Sequence, residues 1–131
     1  MNPRMIWANV AVSDLDRTTK FYTTLGFTPN GSSNELTSFL FGEDYFVIHF
    51  FLKDVLKKNV KGEITDSQQS NEVVFTLSAD SKKQVDKWAT EIESAGGKLI
   101  SQPEEFGKEY YGFIFTDPDG HKFNVFYMQG L

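Results

Sequence analysis

Apolar and polar positions alternate between two rhythms along this chain, and the same succession of rhythms occurs twice. Residues 6–12 (Ile6 to Val12) alternate weakly between large and small apolar side chains, the period-two signal of a strand. Ser13 or Asp14 then offers a short side-chain oxygen to the free amides of a helix start. Leu15, Thr18, Tyr22 and Leu25 follow at steps of three, four and three, which makes one helical face. Gly26 supplies the stop. Strand-like runs follow at residues 27–31, 36–41 and 45–52.

The second half repeats the plan. Residues 73–77 are β-rich, a helix begins near Ser81, and its face carries Val85, Trp88, Ile92 and Ala95 before Gly96-Gly97. Those four residues lie 70 positions after Leu15, Thr18, Tyr22 and Leu25, and Gly96 lies 70 after Gly26. Strand-like runs at 98–101, 111–116 and 122–128 complete it, with Phe113-Ile114-Phe115 matching Phe39-Leu40-Phe41 at an offset of 74. One matching stripe is a coincidence. A stripe, a glycine stop and a terminal hairpin in the same order indicate duplicated βαβββ units. The expected organisation is one domain, with module one at 1–53, a polar linker at 54–71 and module two at 72–131. Residues 53–71 read as a plain linker or as a flap that closes on a ligand, since long loops in compact domains are often functional.

Composition narrows the function classes. The chain has 131 residues, 40% hydrophobic and 24% charged, which fits a folded domain with a real core. Thirteen phenylalanines point to a Phe-rich core, with a Phe-lined pocket as the second reading. A net charge of −5 disfavours nucleic acid, whose binding needs clustered cations. Without cysteine there is no disulfide, thiolate chemistry or Cys-ligated zinc. The apolar stretch near the start is too short for a membrane span and lacks a signal-peptide pattern, so a cytoplasmic protein is expected.

Asp117-Pro118-Asp119-Gly120 has turn chemistry at every place and reads as the hinge of the last hairpin. It also completes a series: Asn9-Val10-Ala11-Val12-Ser13-Asp14-Leu15, Phe21-Tyr22, Leu25-Gly26-Phe27, Ala95-Gly96-Gly97, then Asp117 to His121. In order and spacing this series resembles the vicinal oxygen chelate superfamily, which includes glyoxalase I, bleomycin-resistance proteins and extradiol dioxygenases. The resemblance covers essentially the whole chain. It implies an α+β fold of two tandem βαβββ modules forming a cupped mixed sheet, a small-molecule ligand in the cup, and a homodimer.

The resemblance also implies a divalent metal, held by His, Glu or Gln from the first and last strands of each module. Those places fall here on Trp7, His49, Val74 and Asn124. Trp and Val have no lone pair to give, Asn is a weak neutral donor, and only His49 is a good ligand. Catalytic divalent sites take about three protein ligands, so the expectation is a degenerate site without metal. What remains is a cup walled by Trp7, with His49 as a base or hydrogen-bond donor and Asn124 as an amide donor. By strand parity Val47, Phe51, Lys122 and Phe126 share that face, and Tyr110 and Tyr111 close one rim. His121 is expected to face away and bond locally, and Asp117, Asp119 and Glu109 to be solvated carboxylates. Three functions stay open: a metal-free protein binding a small aromatic or planar ligand, a metal-dependent lyase or dioxygenase of glyoxalase I or extradiol type, and a metal-independent isomerase or lyase with His49 as the catalytic base.

Overall fold

A computed structural model describes residues 1–130. The chain divides into two compact units, Met1–Thr65 and Asp66–Leu131. Each repeats one plan, a strand, a helix, then antiparallel strands of which the last returns to pair in parallel with the first.

In the first unit β1 (Ala8–Val12) leads into α1 (Leu15–Thr24), then β2 (Thr28–Ser32), β3 (Leu36–Phe41) and β4 (Phe46–Leu52), with sheet order β1-β4-β3-β2. Asp14 caps α1 by accepting from the Arg17 amide at 3.0 Å. Gly26 ends it at φ 91°, and the Phe27 amide closes back on the Tyr22 carbonyl. The helix lays Thr18, Phe21 and Tyr22 on the sheet. Tyr22 is fully buried, with the rings of Phe21, Phe27, Phe39, Phe41 and Phe50 around it at centroid distances of 4.6–6.0 Å. Aromatic groups at these separations add to the stabilisation from area burial.

The second unit runs β5 (Phe75–Ser78), α3 (Lys82–Ala95), β6 (Lys98–Leu99), β7 (Glu104–Phe106), β8 (Tyr110–Thr116) and β9 (Lys122–Met128). Its sheet order is β5-β9-β8-β6, with β7 also pairing β8. Ser81 caps α3 and Gly96 terminates it in the left-handed conformation. Beneath α3, Val85, Ala89 and Ile92 meet Phe113, Phe115, Phe123 and Val125, all buried. Among the described residues no helix is long and apolar enough to cross a membrane.

Two expectations are corrected. Residues 53–60 are not plain linker: Lys53–Val60 is a helix, α2, which contacts β1 and β4. Leu52, Leu56 and Val60 recur every fourth residue, and Leu56 is buried. The stripe is short and Leu52 provides no side-chain cap, so the polar composition concealed it.

Residues 66–71 are not linker either. Ser67 donates to the Asp119 carbonyl at 2.7 Å, Gln68 to the Pro118 carbonyl at 2.9 Å, and Asn71 to the Gly120 carbonyl at 2.9 Å. The Lys122 amide donates back to Asn71 Oδ1 at 3.3 Å. The hairpin is thus clasped by the chain that opens its own unit. Its carboxylates, expected in solvent, are buried at Asp117 and Asp119. Asp117 accepts from the Asp119 and His121 amides and from His121 Nδ1, at 3.0, 2.9 and 2.8 Å. A carboxylate with that many donors tolerates burial. His121 bonds locally, as its place after the turn predicts, and is only 8% exposed.

Gly120 sits at φ 92°, and a Cβ there would lie 2.6 Å from the Ser67 carbonyl oxygen. Gly120→Ala is therefore expected to destabilise the fold by about 2–4 kcal/mol through strain and contact with the clasp. Asn71→Ala should cost about 1–3 kcal/mol by leaving the Gly120 carbonyl and Lys122 amide unpaired. Urea unfolding checks both; midpoints equal to wild type would contradict the clasp.

Candidate functional site

Strand parity builds the first unit's candidate face. In β4, Ile48 and Phe50 point to the helix side and are buried, which sends Val47, His49 and Phe51 to the opposite face, where they are half-buried. Parallel pairing sets Asn9 beside His49 and Ala11 beside Phe51. Trp7 immediately precedes β1, is 49% exposed and presents its ring to His49, with centroids 6.3 Å apart and planes at 73°. Phe51 meets the same imidazole at 6.0 Å and 82°. His49 thus stands between two aromatic rings, each in edge-on geometry.

Two residues that the sequence reading passed over lie behind it. Antiparallel pairing puts Ser38 of β3 opposite His49, and Ser38 Oγ is 2.9 Å from His49 Nδ1. Asn30 of β2 extends its Nδ2 to the same hydroxyl at 3.1 Å. The signal for Ser38 was present: once the turn at 42–45 is placed, counting outward from Phe41 and Phe46 pairs Ser38 with His49. Asn30 had no such signal, because the register of β2 on β3 shifts between Pro29 and Ser32.

On the second unit's corresponding face stand Asn124 and Phe126, both half-buried, with Lys122. Asn124 Nδ2 donates to Thr76 Oγ1 at 3.3 Å, across the β5–β9 pair. Phe126 stacks on Tyr110 at 5.5 Å and 29°, and Phe106 approaches at 5.9 Å. Gly112 lies under this group. A Cβ there would collide with the Val125 carbonyl oxygen and come within 3.1 Å of the Phe126 ring. Val74 precedes β5 and is exposed.

Each unit therefore carries its own share of the expected residues. Trp7, Val47, His49 and Phe51 belong to the first, and Val74, Tyr110, Asn124 and Phe126 to the second. Tyr111 is a correction. Alternation turns it from Tyr110's side toward α3, where its hydroxyl donates to Asp86 Oδ1 at 2.6 Å. Lys82 sits 5.5 Å from its ring centroid and pairs with Glu105 at 2.6 Å. Among the described residues no group of three or more His, Asp or Glu is placed to hold a metal ion.

Paired βαβββ units of this order define the class of fold, and comparison with known proteins makes the assignment specific. The family model described as the Glyoxalase/Bleomycin resistance protein/Dioxygenase superfamily matches residues 4–125. The chain belongs to that superfamily. No curated protein matches it by sequence.

Among solved structures, it is similar to a hypothetical protein from S. aureus, with 24% identity, TM-score 0.86, and coverage of 97% of this chain and 95% of that one. A glyoxalase-related enzyme from Fulvimarina pelagi gives 19% identity and TM-score 0.84, covering 95% and 88%. The fosfomycin resistance protein FosX from Listeria monocytogenes, complexed with Mn(II) and sulfate, gives 18% and 0.72, covering 99% and 94%. At such identities the likeness is one of fold.

The Asp86 hydrogen bond, then burial and the Asp86 and Glu105 charges, raise the Tyr111 phenol above its usual value of 10.0. A raised phenol stabilises the fold below about pH 10 and loses that contribution as pH rises through the folded value. Ultraviolet difference titration of wild type against Tyr111→Phe should show this tyrosine ionising above an ordinary one. Asp86→Asn should bring it down; an unmoved titration would contradict the assigned partner.

Proposed function

We propose that this protein binds a small aromatic or planar ligand without a metal, on the sheet face that carries Trp7, His49 and Phe51. The observation that carries this reading is one polar imidazole set edge-on between two aromatic rings, on a face whose opposite side is fully packed. Apolar walls with few convergent polar groups suit small planar ligands. Tyr110 and Phe126 give the second unit a comparable aromatic surface.

The donor chemistry supports the metal-free part. Of the four residues at the family's ligand places, Trp7 and Val74 offer no lone pair, and Asn124 is a neutral amide engaged with Thr76. His49 has one nitrogen occupied by a hydroxyl, where metal-bound imidazoles are backed by a carboxylate, carbonyl or water. These residues do not fit the divalent ion of the superfamily's enzymes. The Mn(II) in the Listeria structure favours a second reading, a metal-dependent lyase or dioxygenase. We also propose a homodimer, since the edge strands β1 and β5 are preceded by the exposed apolar Ile6 and Val73. Light scattering giving a monomer at micromolar concentration would contradict it.

Emission from Trp7, isolated in a Trp88→Phe background, should change on titration with aromatic metabolites and antibiotics, and Trp7→Ala should weaken binding at least about tenfold. Silence across a broad panel would sink the proposal. Elemental analysis should find Ni, Zn, Fe and Mn well below stoichiometric; a stoichiometric ion released by His49→Ala would establish the second reading instead.

A further inference from the structure

What His49 does for a ligand depends on which ring nitrogen carries the hydrogen. Its surroundings decide this. Ser38 is 1% exposed, and its hydroxyl lies 2.9 Å from His49 Nδ1 and 3.1 Å from Asn30 Nδ2. An amide NH2 group only donates, so Ser38 Oγ accepts from Asn30. The serine hydrogen must then find an acceptor, because a buried hydroxyl is rarely left unsatisfied. The side-chain acceptor within reach is His49 Nδ1. With the amide turned over, Ser38 would donate to Asn30 Oδ1 and the hydrogen would sit on Nδ1. The two chains are mutually exclusive and give opposite tautomers.

We infer that Asn30 and Ser38 hold His49 as its Nε2–H tautomer, so that this face offers a ligand one fixed N–H donor and no free ring lone pair. Nδ1 accepts from Ser38, and Nε2 makes no side-chain hydrogen bond within the described residues. The inference rests on the ligand-binding reading above and deepens it by naming a ligand class. A planar aromatic bearing an oxygen acceptor, such as a carboxylate, phenolate or ring carbonyl, satisfies that N–H. One bearing only donors leaves it unpaired and desolvated. The same arrangement argues against His49 as a general base, which needs a lone pair toward the substrate. Asn30 and Ser38 are positioning residues: they act through the imidazole.

The tautomer is read on the free protein by two-dimensional proton–nitrogen NMR of the imidazoles at about pH 8.5, where an ordinary imidazole is neutral. There are only two histidines, so His49→Gln assigns the signals. Wild type should show a pyridine-type Nδ1 and a pyrrole-type Nε2. Asn30→Asp puts an acceptor-only group on Ser38, reverses the chain and should move the hydrogen to Nδ1. Because Asn30 is on the exposed strand β2, this variant keeps the fold. An Nδ1–H tautomer or an even mixture in wild type overturns the inference, as does an Asn30→Asp variant with an unchanged tautomer.

The ligand class is tested with 2-naphthoate and 2-naphthylamine, followed by Trp7 emission in the Trp88→Phe background. Wild type should prefer naphthoate, and His49→Phe should reduce that preference about tenfold, the worth of one hydrogen bond to a charged group. Equal affinities with the expected tautomer overturn the selectivity while the ligand face stands. Failure of both probes to bind overturns the ligand reading, and with it the role given to the N–H.

Discussion

Alternation of side chains across a pleated strand governs this molecule more than any single contact. One face of each sheet lies under a helix and is filled with rings: Tyr22 with its five aromatic neighbours in the first unit, and Phe113, Phe115 and Phe123 beneath α3 in the second. Each buried Phe commits the next residue to the opposite face. His49 lies between Ile48 and Phe50, and Asn124 between Phe123 and Val125, so neither can turn inward without pulling large apolar groups into water. A one-residue slip would exchange both faces at once, which is why the register is strongly specified. The candidate face is the complement of the core.

That dependence explains how much could be read from the sequence. The two helices α1 and α3, the strands carrying His49 and Asn124, and the repeat that relates them follow from periodicity and caps, which are local. Parity alone assigned Val47, Phe51 and Phe126 to the faces they occupy. The same rule separates Tyr111 from Tyr110, since adjacent strand residues cannot share a face. Closeness to one turn groups the two in sequence, and alternation parts them in the sheet.

What stayed hidden is what depends on partners distant in the chain. Ser38 becomes important only through its pairing with His49, and Asn30 only across an irregular register. The burial of Asp117 and Asp119 could not be seen from the hairpin, because the groups that cover it are Ser67, Gln68 and Asn71. Short β7, with charged Glu104 and Glu105, has no apolar alternation to announce it. Local chemistry was legible, and closure between remote segments was not.

The clasp on the terminal hairpin has a consequence for the order in which the chain can fold. Ser67 and Asp119 are 52 residues apart, and their bond forms only after nearly the whole second unit exists. The first unit's sheet closes entirely within its own residues, from β1 to β4. As the polypeptide leaves the ribosome, N-terminal parts fold first, so the first sheet can form while the strand that completes the second is still being made. Residues 66–71 must wait, unpaired, until the last hairpin arrives. Such long-range closure is a slow class of contact, and it makes the polar stretch at 66–71 the part of this chain left longest without its partner during synthesis.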